Sequence, residues 1–208
     1  MKIKYLLFTL AAVLMSSAAL YAQTPEEVVA KMQEQLLCAD AEGYAMDMTM
    51  KMAIVGSATT HILVRGEKTK IQIAGNSGSE IDWTDATTKW AYDPAKAEVT
   101  VSAKPVEGKK DGDLAPFMNL TEGYKVISKG ETADEWIFVC KKLSTNKDKD
   151  AAKKIDLKVS KKTCLPTFLQ MKKSIVTMTI ENVALGVTED EVTFRPEDYP
   201  GVKIVDNR

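Results

Sequence analysis

Residues 44–55, YAMDMTMKMAIV, decide the fold that this sequence predicts. Side chains of a β-strand point alternately to its two faces, so every second residue shares a face. One face is apolar and holds Tyr44, Met46, Met48, Met50, Met52 and Ile54. The other face is mostly polar and holds Ala45, Asp47, Thr49, Lys51 and Ala53. The segment therefore predicts a long strand with one apolar face and one face in contact with water.

Methionine is an unusual choice for the apolar face of a strand. Strands favour β-branched and aromatic residues. The methionine side chain is unbranched and polarizable, and it adapts to irregular apolar shapes. Two interpretations follow and the residues alone leave both open. The strand is either an ordinary core strand that carries methionine, or the lining of a deformable apolar cavity that holds a flexible ligand.

The first residues have the pattern of a secretory signal peptide. Lys2 and Lys4 precede an apolar run over residues 6–14, and small residues follow up to Ala22, after which we expect cleavage. The apolar run is short for a membrane span. No cysteine lies at the cleavage point, so we expect a protein that is exported to the periplasm without a lipid anchor. Residues 23–208 are then predicted to form a single domain.

Charge and composition give information on the partners of the protein. The chain has 28 basic residues, two of them in the signal peptide, and 29 acidic residues, so the exported part is slightly acidic. Because there is no basic excess, the sequence indicates neither a nucleic acid nor an anionic membrane surface as a partner. We expect a monomer with no transmembrane segment in the exported chain.

The three cysteines allow one disulfide in an oxidising compartment. Cys140 and Cys164 lie in predicted strands that could be neighbours, so we predict that they pair. Cys38 then packs as a small apolar residue in a helix. The spacing of the cysteines matches no zinc motif, and the chain has a single histidine, His61, so we predict neither a metal nor a cofactor.

One helix precedes a long series of short strands. Thr24 and Glu27 form a capping box around Pro25, and Gly43 ends a helix predicted over residues 25–41. Alternating segments separated by Gly-, Asn-, Asp- and Pro-rich turns then predict an antiparallel meander. The apolar stretch LAPFMNL, residues 114–120, predicts a short helix.

These elements predict a mainly β fold. We expect a single curved antiparallel sheet of about 10–11 strands that forms an open or half β-barrel. The N-terminal helix and the short helix would cover an apolar cavity on its concave side. A wide sheet of this kind tends to enclose space for a ligand, since its own side chains do not fill the concavity.

The sequence offers few residues for catalysis. His61 has no carboxylate close in sequence, and there is no phosphate-binding loop and no nucleophile elbow. Asp82, Asp85 and Asp93 follow a pattern that is typical of turns. We therefore predict that the protein is not an enzyme. Only carboxylates brought together inside the cavity by the fold would favour catalysis.

Two stretches resemble a known family. Residues 84–101, TDATTKWAYDPAKAEVTV, resemble the central motif of the periplasmic carriers of outer-membrane lipoproteins, the LolA-like family. The residues that match are Asp85, Trp90, Tyr92, Asp93, Val99, Thr100 and Val101, while Ala86 stands where the family has glycine. The ending FRPEDYPGVKIVDNR, residues 194–208, is similar to the tail of these carriers.

The resemblance implies an open, strongly curved barrel with helices as a lid over a hydrophobic cavity. The family carries the acyl chains of lipoproteins from the inner to the outer membrane, so transfer partners at both membranes are implied. A strand arginine holds the lid closed in the family, and Arg65 is the candidate by position.

We accordingly predict a soluble periplasmic carrier for lipoprotein acyl chains or other lipids. The predicted ligand-binding residues are Met46, Met48, Met50, Met52, Ile54, Trp90, Tyr92, Phe117, Met118, Phe138 and Met178. The alternative is a sensor or adaptor of the same fold, with a packed interior, that binds a protein partner through its open edge.

Overall fold

The computed structural model describes residues 23–75, 78–104, 114–118 and 120–208. The predicted signal peptide, residues 1–22, lies outside the described residues. The helices are α1 Pro25–Leu37, α2 Ala39–Glu42, α3 Ala115–Met118 and α4 Leu120–Gly123. The strands are β1 Tyr44–Met52, β2 Gly56–Arg65, β3 Lys68–Gly75, β4 Gly78–Thr84, β5 Thr88–Asp93, β6 Glu98–Ala103, β7 Tyr124–Glu131, β8 Glu135–Lys142, β9 Lys154–Ser160, β10 Pro166–Lys173, β11 Val176–Leu185 and β12 Lys203–Asp206.

The described strands form one open sheet of 12 strands. Their order is β12-β6-β5-β4-β3-β2-β1-β11-β10-β9-β8-β7. The sheet does not close, because β12 and β7 lie at its two edges and do not pair with each other. This confirms the predicted open, mainly β architecture. The predicted all-antiparallel sheet is wrong at one edge, where β12 runs parallel to β6.

The first helix begins as the sequence predicts. The Thr24 hydroxyl accepts a hydrogen bond from the backbone N–H of Glu27 at 3.2 Å, and the Glu27 carboxylate accepts one from the Thr24 N–H at 2.8 Å. This reciprocal pair is the capping box. The helix ends earlier than expected, because Cys38 caps α1 at Leu37 and the short α2 continues to Gly43.

The methionine strand is shorter than the alternation suggests. β1 ends at Met52, and residues 53–55 form the turn to β2, in which Met52 pairs with Gly56. The prediction of Ile54 on the apolar face of a strand is therefore wrong, and the side chain is 92% exposed in the turn. The alternation of apolar residues continues into a turn because periodicity does not record where a chain reverses.

A β-bulge lies in the pairing of β1 with β11, where the two halves of the sheet meet. The register between β1 and β11 shifts between Ala45 and Asp47, and Asn182 on β11 adopts a φ of 57°. Asparagine tolerates this left-handed conformation better than most residues. Its side-chain amide donates to the Asp47 carboxylate at 2.7 Å, and that carboxylate also lies 2.5 Å from Nδ1 of His61. The polar face of β1 is therefore anchored to both neighbouring strands.

This network gives the fold a defined dependence on acid. Burial alone would raise the pKa of Asp47, but hydrogen bonds from Asn182 and His61 outweigh it and hold the pKa below its ordinary value of 3.8. A lowered pKa contributes stability above the unfolded value, which is lost as the pH falls through the folded value. Asp47→Asn should be less stable than the natural protein at about pH 5, and the gap should narrow towards about pH 2. Denaturant unfolding across this range measures it, and a gap that stays constant would contradict the prediction.

The apolar layer changes sides along the sheet. We call the face that carries Met46 the inner face and the opposite face the outer face. Across the inner face Met46 lies opposite Ile62, Ile62 opposite Ile71, and Ile71 opposite Asp82, so this face becomes polar at β4. Residues that pair directly on neighbouring strands share a face. β4–β6 must therefore bury their apolar side chains on the outer face.

Each layer has its own cover. The inner core packs α1, α3 and α4 against β1 and β7–β11, and its largest fully buried side chains are Met32, Met46, Phe117, Leu120, Leu157, Leu169 and Ile180. On the outer face the segment after β11 returns across the sheet, where Val187 and Val192 pack on Leu63. Two 3₁₀ turns, Asp190–Val192 and Pro196–Asp198, shape this segment.

Gly43 makes the junction between α2 and β1. Its φ of 74° and ψ of 157° belong to a region that essentially only glycine occupies. A Cβ here would lie 2.8 Å from the Val64 carbonyl oxygen and 2.9 Å from that of Val187. The N–H of Gly186 donates to the Gly43 carbonyl at 3.0 Å, so the helix, β1 and the end of β11 meet at this residue.

Gly43→Ala should lower the free energy of unfolding by about 3 kcal/mol, since backbone strain and the clash add together. Gly66→Ala is the matched control. Gly66 also has a positive φ, of 56°, but a Cβ added there would have no atom within 4 Å, so its cost should be about 1 kcal/mol. Denaturant unfolding of the two variants compares them directly, and equal losses would contradict a packing role for Gly43.

Candidate functional site

A row of methionines crosses the inner face of the sheet. Met50 on β1 lies opposite Met178 on β11, and Met178 lies opposite Met171 on β10. We call these three residues the methionine row. The same line of pairs continues through Ile155 on β9 to Cys140 on β8. The methionine row is therefore one end of a continuous line of apolar side chains that crosses five neighbouring strands, and we call this line the apolar band.

A cavity of about 640 Å³ lies over this band. Met171, Met178, Ile155 and Tyr124 contribute to its floor, while polar side chains of α4 and of residues 145–150 contribute to its rim. Burial raises the pKa of the Tyr124 phenol above its ordinary value, followed by a smaller effect of the nearby Asp148 charge. An apolar floor with a polar rim is typical of a site that takes an apolar ligand with a polar end.

The next row towards the middle of the sheet is packed solid. Met48 lies opposite Ile180, and the line continues through Leu169, Leu157 and Phe138. All but Met48 are buried, and Met48 packs against them. Side chains of α1 belong to the same core cluster. This part of the inner face is ordinary core, and the open space begins one row further out.

The predicted methionines therefore lie in different surroundings. Met46 is fully buried in the core and Met48 is partly buried, whereas Met50 is 44% exposed and Met52 is partly exposed. The strand runs from the packed core to the solvent at its far end. The core interpretation therefore applies to the buried half of the strand, and the part of these methionines in lining a ligand cavity stays a prediction.

Trp90 and Tyr92 are not beside the methionines. They lie on the outer face in an aromatic cluster, with ring centroids of Trp90 and Phe194 5.9 Å apart and those of Tyr92 and Tyr199 5.0 Å apart. Trp83 joins the cluster at 5.2 Å from Phe194 and 5.5 Å from Tyr199. The predicted grouping of these aromatics with the methionines is wrong, because the apolar layer has changed sides before β5.

A polar clasp holds the helices over the inner face. The side-chain amide of Gln33 on α1 donates to the carbonyls of Phe117 at 2.9 Å and Met118 at 2.6 Å. Its oxygen accepts a hydrogen bond from the Thr121 hydroxyl at 2.9 Å. Phe117 is fully buried and Met118 partly buried in the core beneath α1. Sequence reasoning missed Gln33, although a polar residue beside Met32 and Leu36 on the apolar face of a helix is a usable signal.

The predicted disulfide is not formed. All three cysteines are free, with Cys140 and Cys164 buried and Cys38 exposed. Cys140 lies opposite Ile155, whereas Cys164 lies in the turn beyond Ser160, roughly 16 Å further along the strands. A disulfide needs Cα atoms about 4.4–6.8 Å apart. β9 separates the two strands that were expected to be neighbours, and burial raises the pKa of the Cys140 thiol to about 12, so it is neutral.

Arg65 ties three segments together at the end of β2. Its Nη1 donates to the carbonyl of Glu42 at 2.9 Å and to that of Val187 at 2.6 Å. Its Nε lies 3.9 Å from the Glu189 carboxylate, which also pairs with Lys68 at 2.5 Å. Arg65 therefore fixes the last turn of α2 and the segment after β11 to the sheet. Its role in locking a lid stays a prediction.

A second cavity, of about 540 Å³, lies beside Arg65. Its lining includes the charged side chains of Lys68, Asp85 and Glu189. Charged groups in a pocket disfavour an apolar ligand because their desolvation costs free energy. The cavity over the methionine row also has carboxylates at its rim, but Met171, Met178 and Ile155 line it as well, so it is the better candidate for an apolar ligand.

Two further features concern membranes and metals. Within residues 23–75, 78–104, 114–118 and 120–208, no helix has the length and apolar content to cross a bilayer. In the same part of the chain, no three His, Cys, Asp or Glu side chains are grouped so that they could hold a metal ion.

Comparison with known proteins gives structural neighbours but no sequence relatives. No family description and no curated protein matches the sequence. The structure of LprF from Mycobacterium bovis has a TM-score of 0.54 and 6% identity, over 79% of this chain and 93% of LprF. An uncharacterised conserved protein from Thermus thermophilus has a TM-score of 0.43 and 10% identity, over 88% and 98% of the two chains. A LolA superfamily protein from Nitrosomonas europaea has a TM-score of 0.35 and 12% identity, over 85% and 100%.

The likeness to LprF concerns the fold alone, since the identity is so low, and the other two TM-scores lie below 0.5. The structure has the open, mainly β architecture that the sequence predicts, with helices against one face and a C-terminal segment across the other, and its fold is similar to that of LprF.

Removing the Arg65 guanidinium should loosen the junction between α2, the end of β2 and the segment after β11. Arg65→Met deletes two charge-assisted hydrogen bonds to carbonyls and should lower the free energy of unfolding by about 2 kcal/mol. Hydrogen exchange should rise first at the amides of Gly43 and Gly186, which are next to Glu42 and Val187 in the chain. Arg195→Met is the control, because Arg195 makes an exposed ion pair with Asp190, which is worth at most about 1 kcal/mol. Equal effects of the two variants would contradict the role of Arg65.

Proposed function

We propose that this protein is a periplasmic carrier that shelters the acyl chains of lipoproteins, or of other lipids, for transfer to the outer membrane. The observation that carries the proposal is the cavity of about 640 Å³ floored by Met171 and Met178. Its volume falls within the range of about 300–1,000 Å³ that is typical of small-molecule sites. The sequence resemblance of residues 84–101 and 194–208 to lipoprotein carriers supports the same conclusion.

The chemistry of the floor suits an acyl chain. Each methylene removed from water contributes about 0.8 kcal/mol, so a bare acyl chain needs an apolar shelter during transit. Met171, Met178 and Ile155 supply that shelter without any buried charge among them. Thioether side chains change conformation easily, so they can accept chains of different shape and release them again.

The helices are suited to act as the cover of the site. Gln33 clasps α1 to α3 and α4 through three hydrogen bonds, and these can be exchanged for hydrogen bonds to water. The packed row beneath α1 gives the cover a fixed base. A longer ligand would enter along the methionine row and displace part of this cover, with Arg65 holding the far end of α2 in place.

Substitution on the cavity floor tests the proposal. Met178→Asp places a carboxylate among apolar side chains, and an acyl chain could bind beside it only at the cost of desolvating that charge. The affinity for a fluorescent fatty acid should fall at least about ten-fold. Met178→Leu is the matched control, because it keeps the position apolar at nearly the same volume and should leave the affinity within about two-fold.

Both variants are compared by circular dichroism and thermal unfolding before binding is measured, because Met178 is partly buried. If folded Met178→Asp binds the fatty acid as tightly as Met178→Leu does, the cavity is not the binding site. If the natural protein binds no fatty acid at all, the carrier proposal fails as a whole.

The alternative is a sensor or adaptor that binds a protein partner. The filled row from Met48 to Phe138 favours it, since a large part of the inner face is dry core. β7 and β12 also leave two sheet edges at which a partner strand could pair. Native mass spectrometry of protein isolated from a Gram-negative host separates the two functions. Lipid that co-purifies supports the carrier, and a bare chain that captures a protein supports the adaptor.

A further inference from the structure

Two neighbouring hairpins expose apolar residues at their tips. Residues 53–55 connect β1 to β2, and residues 174–175 connect β10 to β11. The two turns are adjacent because Met52, at the end of β1, pairs with Val176, at the start of β11. Ile54 is 92% exposed, Val55 69% and Ile175 61%. We call these three residues the tip patch.

Isoleucine and valine side chains are usually buried in the core, so this degree of exposure is unusual. β-branched apolar residues disfavour tight turns and water alike, and exposed apolar side chains that cluster commonly mark an interaction site. The tip patch lies beyond the ends of the strands, so nothing in the sheet register requires it to be apolar. A hairpin built only for folding would carry Gly, Asn, Asp or Ser here.

Two lysines lie directly behind the tip patch on the outer face. Lys51 on β1 and Lys172 on β10 both pair with Thr177 on the intervening β11, so they flank it on the same face. Both side chains are exposed, and neither makes an ion pair within the described residues. Lys173, the next residue along β10, is by contrast paired with Asp150. This end of a slightly acidic protein therefore carries two uncompensated positive charges beside an apolar tip.

The same end is the open end of the methionine row. Met50 and Met52 lie towards the tip and are more exposed than Met46, and Met50 lies two residues from the end of β1. An apolar path therefore runs from the tip patch along Met50 and Met178 to the cavity. Lys51 and Lys172 lie on the opposite, outer face of the same strand ends.

We propose that the protein docks on an anionic lipid surface through the tip patch, with Lys51 and Lys172 against the headgroups. Apolar tips fit the boundary between headgroups and acyl chains, and flanking lysines fit anionic headgroups. In this orientation the end of the methionine row that is nearest the tip patch lies at the membrane. The proposal rests on the proposed function for its purpose, since docking there would let an acyl chain pass between bilayer and cavity.

Because the positive charge is confined to this pair of lysines, the net charge of the whole chain does not indicate an anionic lipid surface as a partner. A basic excess is needed only where the surface meets the membrane, since charge effects fade over roughly 8–10 Å at physiological salt. Binding should therefore be weak, reversible and sensitive to salt, as a protein that must leave one membrane for another requires.

Vesicle sedimentation tests the docking. The natural protein should bind vesicles of phosphatidylcholine with phosphatidylglycerol more tightly than vesicles of phosphatidylcholine alone, and salt should weaken this binding. The double variant Ile54→Ser with Ile175→Ser should bind at least roughly ten-fold more weakly. Lys51→Gln with Lys172→Gln should lose roughly five-fold for each lysine, together with the preference for the anionic lipid.

Controls are chosen from the other parts of the surface. Leu37→Ser removes an apolar residue that is 67% exposed at the end of α1, near the opposite end of β1. Lys125→Gln with Lys129→Gln removes two exposed lysines of the edge strand β7. Both controls should bind vesicles as the natural protein does. If the tip variant and Leu37→Ser bind equally well, or if the natural protein ignores anionic vesicles, the proposal is wrong.

The failure of docking and the failure of the carrier function are separable. Fatty-acid binding without vesicles should be unchanged in the tip variant, because its residues do not line the cavity. A natural protein that binds fatty acid but no vesicles overturns the docking alone. Vesicle binding without any fatty-acid binding overturns the carrier function alone. A dimer that sedimentation detects and that the tip variant abolishes would assign the patch to a second copy of the chain and overturn the docking.

Discussion

The pairing of β1 with β11 is the constraint on which the rest of the structure depends. It joins a strand near the start of the domain to one near its end, and it makes one sheet from two runs of sequential hairpins. Without it Met50 and Met178 would lie on separate sheets, and neither the methionine row nor the pair of adjacent hairpin tips would exist. The bulge at Asn182 sets its register, and Gly43 and Arg65 secure its end against α2.

The sheet has apolar residues on both of its faces, and different segments of the chain cover the two faces. The helices cover the inner face over β1 and β7–β11, and the segment from Val187 to Tyr199 covers the outer face over β2–β6. The apolar residues follow these covers from one face to the other. The aromatic cluster lies in the outer layer, whereas the inner layer has packed core at its middle and open space at its edge.

The change from packed core to open space along one strand separates the residues that stabilise the fold from those nearer the cavity. Met46 and the row from Met48 to Phe138 make a close-packed base, which costs several kcal/mol to disturb. The methionine row lies one step further out, and Met171 and Met178 line the cavity. Side chains that adapt their shape therefore lie at the border of a rigid core. The exposed hairpin tips continue the same apolar line to the surface.

The sequence by itself determined the local features of this protein. Alternation in residues 44–55 predicted β1, the capping box predicted the start of α1, and short strands between turn residues predicted an open, mainly β sheet with helices. Each of these follows from contacts between residues close in the chain, so each leaves a mark in the order of residues.

Only the tertiary structure decided which strands are neighbours and which face of each is covered. Alternation shows that Trp90 and Tyr92 share a face, but it does not say which side of the sheet that face is on. In the same way the predicted Cys140–Cys164 bond failed because β9 intervenes, and the parallel β12 has no local signal. Register and cover depend on residues far apart in the chain, and periodicity along one strand carries no information about them.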